Sequence, residues 1–340
     1  MKSKIKSTLI ATTLTIATAL TFTGCGDTTG AGNADYKVAI VKYVDDASLN
    51  QIEASIVAQL EAKGKEAGVT FDIELYNGQA DGTVLNQIAA EVVADEVDVV
   101  IPIATPAAVL MQSATEDTDI KVVFSAVTDP VDAGLVASLD APGANITGVS
   151  DAIDTDAIMN LILLQNPDIK KIGLLYNKSE ASSIGAIEDA KAFCEAKGIT
   201  VVEKTGTNVN EVQTAATVMA SEGVEAIFTP QDNTVMQAEM AIFEIFTDAK
   251  IPHYTGADSF ALNGAFLGYG VNYINLGTLT ADMTYDILVN GADPATTAVK
   301  TLDDGIITVN TETAEKLGID YTIFKEHCAE LRETVTKQEF

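Results

Sequence analysis

From residue 36 onward, short apolar runs rich in β-branched residues alternate with longer segments whose apolar positions recur at helical spacing. The runs at 36–42, 70–76, 98–104, 121–127, 171–176, 199–205, 224–229, 251–256 and 265–270 read as strands. Between them, 48–66, 83–95, 181–197, 209–221 and 234–248 read as helices. Punctuation agrees: Ile56, Val57 and Leu60 form one stripe closed by Gly64 and Gly68, and Lys197-Gly198 ends the helix before the strand at 199–205. The run 98–104 is apolar on both faces, as a strand covered by helices must be. Alternation of this kind builds βαβ units around parallel sheets. Two similar halves meet near residue 148, where 142–151 has the Pro-Gly-Asn composition of a connection between domains.

Three of the apolar runs break into small hydroxyl or acidic residues: Ile-Pro-Ile-Ala-Thr-Pro (101–106), Val-Phe-Ser-Ala-Val-Thr-Asp-Pro (123–130) and Asn-Ile-Thr-Gly-Val-Ser-Asp (145–151). Open α/β sheets bind ligands at the carboxyl ends of their strands. Repeated polar endings therefore predict a hydrogen-bonding rim there, beyond what capping of the next helices requires.

Charge narrows the choice of ligand. There are 49 acidic against 20 basic residues, for a net charge of −29, and Arg332 is the one arginine. The chain lacks the basic footprint that nucleic acid needs. Phosphates and dicarboxylates are disfavoured as well, because Arg is their usual bidentate partner. The acid surplus reads as a solubility device of the surface.

The first residues are set apart from the fold. Lys2, Lys4 and Lys6 precede an apolar Ser/Thr-rich run ending in Phe22-Thr23-Gly24-Cys25, the pattern of a secretory leader with an ending that resembles a bacterial lipobox. The expected boundaries are a leader over 1–24 and a lipidated tether over 25–35, with Cys25 carrying the lipid. No later stretch is long and apolar enough to span a bilayer, so the mature chain is expected outside the cytoplasmic membrane, anchored by lipid. Cys194 and Cys328 both lie in helical patterns and read as two separate thiols.

The stretch 101–151 resembles the solute-binding lipoproteins of tryptophan/tyrosine-type ABC transporters. The resemblance continues through Lys-Ile-Gly-Leu-Leu-Tyr-Asn-Lys-Ser-Glu (171–180), Thr-Pro-Gln-Asp-Asn-Thr (229–234), Ile-Pro-His-Tyr-Thr-Gly-Ala-Asp-Ser (251–259) and Gly-Tyr-Gly-Val-Asn-Tyr-Ile-Asn-Leu-Gly (268–277), and so covers most of the mature chain. It implies a type I periplasmic-binding-protein fold: two doubly wound parallel-sheet α/β domains with a ligand cleft between them, joined by three crossovers near 148, 271 and 291. The domains would be 36–148 plus 272–290, and 149–271 plus 291–340. It also implies solute capture by hinge closure and delivery to ABC permease subunits, with an aromatic or other α-amino acid as the solute and no cofactor. Two alternatives stay open: a receptor subunit of a membrane sensory system, and a transporter subunit for a non-amino-acid solute.

An amino acid presents a carboxylate, an ammonium and a side chain. Without an arginine to spare, the carboxylate would be held by hydroxyls and helix N-terminal amides, with Thr105 and Thr128 (next to Asp129) as the expected contacts. For the ammonium, Asp258 is the first candidate, since the resemblance places an acidic ligand there. Asp232, beside Asn233, is the second, and Asp151, beside Ser150, the third. Tyr176 and Asn177 end a strand, and Tyr176 is expected to stack on an aromatic ligand. Tyr43 and Asp46 are weaker candidates, and Tyr269 and Tyr273 read as hinge or core residues. Catalytic signatures are missing. Of the two histidines, His253 reads as packed in a strand, and His327 adjoins Cys328 on a predicted helix, where neighbours do not face each other. A metal site and enzymatic turnover are therefore not expected.

Overall fold

The computed structural model describes residues 34–302 and 304–337. The expected leader, Cys25 and most of the tether lie outside the described residues.

Strand–helix alternation produces one parallel sheet in each half. In the first, Tyr36–Lys42 (β1), Ala47–Ala67 (α1), Phe71–Asn77 (β2), Gly82–Ala94 (α2), Val99–Ile103 (β3), Thr105–Thr115 (α3) and Lys121–Ser125 (β4) follow in turn. Aspartates start several of these helices: Asp46 accepts the Ser48 and Leu49 amides of α1, and Asp81 those of Thr83 and Val84 in α2. All five residues of β3 are buried, as the two-faced apolar pattern requires. Pro102 lacks a backbone N–H, and the ladder between β3 and β4 skips Ile101 and Pro102.

The segment 142–151, expected as a connection, contains a strand, Ile146–Ser150 (β5), paired in parallel with β4. Gly148 is the reason it reads like a linker. A Cβ at that position would lie 2.2 Å from the Phe124 carbonyl oxygen and 2.5 Å from the Phe124 ring, so only glycine lets β5 close onto β4. The chain leaves the first sheet after Ser150, two residues beyond the expected crossover.

In the second half, Thr155–Gln165 (α4), Lys171–Tyr176 (β6), Ala181–Lys197 (α5), Thr200–Thr205 (β7), Val209–Ser221 (α6), Ala226–Thr229 (β8), Asn233–Asp248 (α7), His253–Thr255 (β9), Asp258–Leu262 (α8) and Leu267–Gly270 (β10) repeat the pattern. The chain then crosses back, and Tyr273–Leu288 (α9) packs against α1. The approach is close because Gly277 faces the Ile52 carbonyl oxygen, which a Cβ would meet at 2.6 Å.

The last crossover differs from expectation. Lys300–Thr301 (β11) pairs with Val149 and Ser150, so residues up to 301 stay with the first sheet instead of departing near 291. Ile306–Asn310 (β12) then joins β10 in antiparallel sense, followed by Thr311–Leu317 (α10) and Glu330–Thr334 (β13). The sheet orders are β11-β5-β4-β3-β1-β2 and β13-β12-β10-β9-β8-β6-β7. Both halves are doubly wound α/β sheets, as the resemblance implies.

Cys194 is buried in α5, and both it and Cys328 are free. His327 and Cys328 were expected on a helix, but His327 caps a short 3-10 turn (Tyr321–Glu326) and Cys328 leads into β13. Among the described residues, no helix is long and apolar enough to cross a membrane.

Gly148→Ala is expected to lower stability by about 1–3 kcal/mol through forced displacement of Phe124, read as a shifted urea midpoint at unchanged slope.

Candidate functional site

The carboxyl ends of β1, β3, β4 and β5 from one sheet, and of β6, β8 and β9 from the other, converge on a single cavity. Each end delivers a loop or a first helical turn that supplies a polar side chain: Asp46 and Ser48 after β1, Thr105 after β3, Thr128 after β4, Asp151 after β5, Ser182 after β6, Asp232 and Asn233 after β8, Ser259 after β9. Ala104 and Ala126, two wall residues without glycine's freedom, have φ of 80° and 54°. Non-glycine residues held in this region store strain where a surface must be shaped. Ala104 also leaves the N-terminus of α3 without a side-chain cap, so that helix presents its amides unshielded beside Thr105.

Three carboxylates line the wall, and no Lys, Arg or His lines it with them. Burial pushes Asp151 up to about 7. Burial and then the neighbouring Glu180 charge push Asp232 up to about 7, against the amides that it accepts. Asp46 is raised by burial too. Asp46 and Asp232 are helix N-caps; Asp232 takes the Val235 amide at 2.9 Å, the Asn177 amide at 2.6 Å and the Ser183 hydroxyl at 2.7 Å. Asp151 caps no helix. Its Oδ2 accepts from Gln231 Nε2 at 2.9 Å, and its Oδ1 has no partner.

Five buried polar atoms around this one cavity lack a hydrogen-bond partner: Asp46 Oδ2, Asp151 Oδ1, Thr105 Oγ1, Ser182 Oγ and the Tyr273 hydroxyl. Two are carboxylate oxygens that need donors, and three are hydroxyls free to donate. Buried polar groups are normally satisfied, so this grouping marks a place built for a polar guest.

Of the residues singled out from sequence, Thr105, Thr128, Asp151, Asp232 and Asn233 line the cavity. Ser150 stands behind it, its hydroxyl donating to the Thr128 carbonyl at 3.1 Å, and Asn177 is likewise one layer back, holding Asp232 and Thr234. Three do not reach it. Tyr176 turns into the core of the second half and donates to Glu203 at 2.8 Å, so it has no face to offer a ligand. Exposed Asp129 accepts the Val131 and Asp132 amides. Asp258 lies on a separate groove with Asn50, Gln51 and Arg332, where it accepts the Ser48 hydroxyl at 2.6 Å, and burial pushes it up to about 6. His253 is packed between Phe246 and Phe260 and bonded to Thr229 and Glu239, away from the cavity wall.

Sequence reasoning missed Ser48, Ser182, Gln231, Ser259, Phe260 and Tyr273, and ranked Asp46 low. Gln231, Ser259 and Tyr273 left a signal, lying inside the segments quoted at 229–234, 251–259 and 268–277. Tyr273, expected as hinge or core, is both a crossover residue and a wall residue, 3% exposed.

Comparison with known proteins gives the site its context. The family described as ABC transporter substrate binding protein matches residues 37–326. The "Tyrosine-binding protein" of Clostridioides difficile is 30% identical over 324 residues, 92% of each chain. The ABC domain in complex with L-Trp from Streptococcus pneumonia superposes with a TM-score of 0.80 at 32% identity, covering 87% of this chain and 99% of that one. The ligand-free, open structure of a substrate binding protein with adhesive properties from Clostridium difficile, also 32% identical, covers 88% and 100% but reaches only 0.67. With the family pattern spanning most of the chain and a relative at this identity over nearly its whole length, the protein belongs to the ABC transporter substrate binding protein family.

Proposed function

We propose that the protein captures a free α-amino acid outside the cytoplasmic membrane and presents it to an ABC permease, with Cys25 as its lipid anchor. The observation that carries this reading is the set of five unpartnered atoms. Two carboxylate oxygens suit an ammonium, and the Thr105 and Ser182 hydroxyls, each in the first turn of a helix without a side-chain cap, suit a carboxylate. Such a set is the complement of a zwitterion. Asp151 is the foremost ammonium acceptor, because it lines the cavity with one oxygen unpartnered and serves no helix. Thr105 and Ser182 are the donors for the carboxylate end, while Tyr273 stands beside the aspartates. Phe260, Met236 and Leu49 supply apolar wall for a side chain. The tyrosine-binding relative and the L-Trp complex favour an aromatic amino acid as the solute. Nothing in the arrangement requires covalent chemistry: binding and hinge closure suffice.

Calorimetry with a panel of amino acids and sugars tests this. L-Tyr or L-Trp is expected to bind with micromolar or tighter affinity, about −8 kcal/mol or better. Binding of a sugar with no response from any α-amino acid would overturn the reading.

Asp151→Asn removes the charge that receives the ammonium and is expected to weaken amino-acid binding by about 2 kcal/mol or more, roughly 30-fold. Asp258→Asn, outside the cavity and still able to accept from Ser48, is expected to change affinity by less than about threefold.

The pH dependence has a definite sign. In the empty protein burial pushes Asp151 up to about 7, while the ammonium favours its charged form. Below that value a proton must leave before the ligand binds, at a cost of about 1.4 kcal/mol per pH unit. Affinity is therefore expected to rise from about pH 5 and level off above about pH 7, and Asp151→Asn is expected to flatten the profile.

A further inference from the structure

Gln231 joins the two halves of the molecule. It sits between β8 and α7 in the second half, yet all three of its side-chain hydrogen bonds reach residues of the first half or its exit. Its Nε2 donates to the Asp151 carbonyl and to Asp151 Oδ2, each at 2.9 Å, and its Oε1 accepts the Thr128 hydroxyl at 2.7 Å. The partners fix the amide orientation, since two acceptors demand the NH₂ end. Backbone geometry fixes its position. The Asp232 amide donates to the Pro230 carbonyl at 2.8 Å, making a tight turn, and a Cβ on Gly256 would come within 2.9 Å of the Gln231 nitrogen. Gln231 is half-buried and cannot drift far.

Asp151 thus divides its two oxygens. Oδ2 accepts from Gln231 of the second half, and Oδ1, on a residue that lines the cavity, has no partner. We infer that Gln231 is a positioning residue that ties cavity occupancy to closure, by gripping the far oxygen of the carboxylate whose near oxygen receives the solute's cationic end. The inference rests on the amino-acid reading for the identity of that cationic end, but not for the tie itself. A cation on Oδ1 holds Asp151 in its charged form, and a hydrogen bond to a charged carboxylate is stronger than one to a neutral acid. Occupancy therefore strengthens the bond that keeps the halves together. Thr128, whose hydroxyl is taken by Gln231, serves this tie and not the solute.

The test uses the purified protein with Gln231→Met, which keeps side-chain volume and loses all three hydrogen bonds, and Gln231→Ala as a second variant. Melting temperature serves as the folding control. Stopped-flow binding of L-Trp is read by indole fluorescence, which is clean because the chain contains no tryptophan. The dissociation rate is expected to rise roughly 10- to 100-fold, with the association rate within about threefold of wild type. Thr128→Val is expected to add nothing further in the Gln231→Met background. Small-angle X-ray scattering is expected to show a smaller closed fraction in both Gln231 variants. An unchanged dissociation rate in Gln231→Met, or an affinity loss carried by the association rate, overturns the inference. Should wild type bind neither L-Trp nor L-Tyr, the amino-acid reading fails by itself. Scattering then decides the tie: identical profiles for wild type and Gln231→Met reject it, and a more open variant upholds it.

Discussion

Taking a carboxylate out of water without a cation beside it costs several kcal/mol, and this protein does so three times around one cavity. Backbone amides carry most of the offset. Asp46 and Asp232 each sit at a helix N-cap, where amide donors and the helix dipole favour negative charge. Asp151 has no helix to lean on and relies on one glutamine from the opposite half. What remains uncompensated is the pair of free oxygens on Asp46 and Asp151. That residual demand for a cation governs the electrostatics of the cavity. It also explains why an acidic chain with a single arginine, kept away from the wall, is suited to its task.

Alternation of strand and helix was legible because it rests on local pattern. β1, β6, α5 and α6 begin and end where periodicity and punctuation put them. The failures share a cause in long-range contact. β5 hides behind a glycine that only makes sense once Phe124 is packed on it. β11 is two residues long and exists by pairing with Val149 and Ser150, half the chain away in sequence. The run of polar strand endings pointed to the right rim, yet it was silent on which way each side chain turns. Tyr176 and Asp258 carry suitable chemistry at strand ends and face elsewhere, because sheet register and helix docking, not composition, aim them. Tyr273 is the converse: a residue whose place after a crossover suggests a hinge, brought to the wall by the return of α9 to the first half.

The crossovers are linked to one another as well as to the cavity. Asp304, on the third, accepts the backbone amide of Asn272, on the second, at 3.0 Å, while Asn272 caps α9 through the Asn275 amide. The first crossover begins at Asp151, directly after β5. Motion of one half against the other thus passes through residues that also shape the binding surface or its immediate support. In proteins that close about a hinge, such sharing lets small changes at the site alter the balance of the two states.

The N-cap aspartates have an evolutionary consequence. Replacing Asp46 or Asp232 would change the charge of the cavity and also fray α1 or α7, so selection for a new solute and selection for a folded chain oppose each other there. Asp151 bears no such double duty to a helix. Within a lineage built on this scaffold, the preference for charged or neutral solutes has one inexpensive route of divergence, and it runs through position 151.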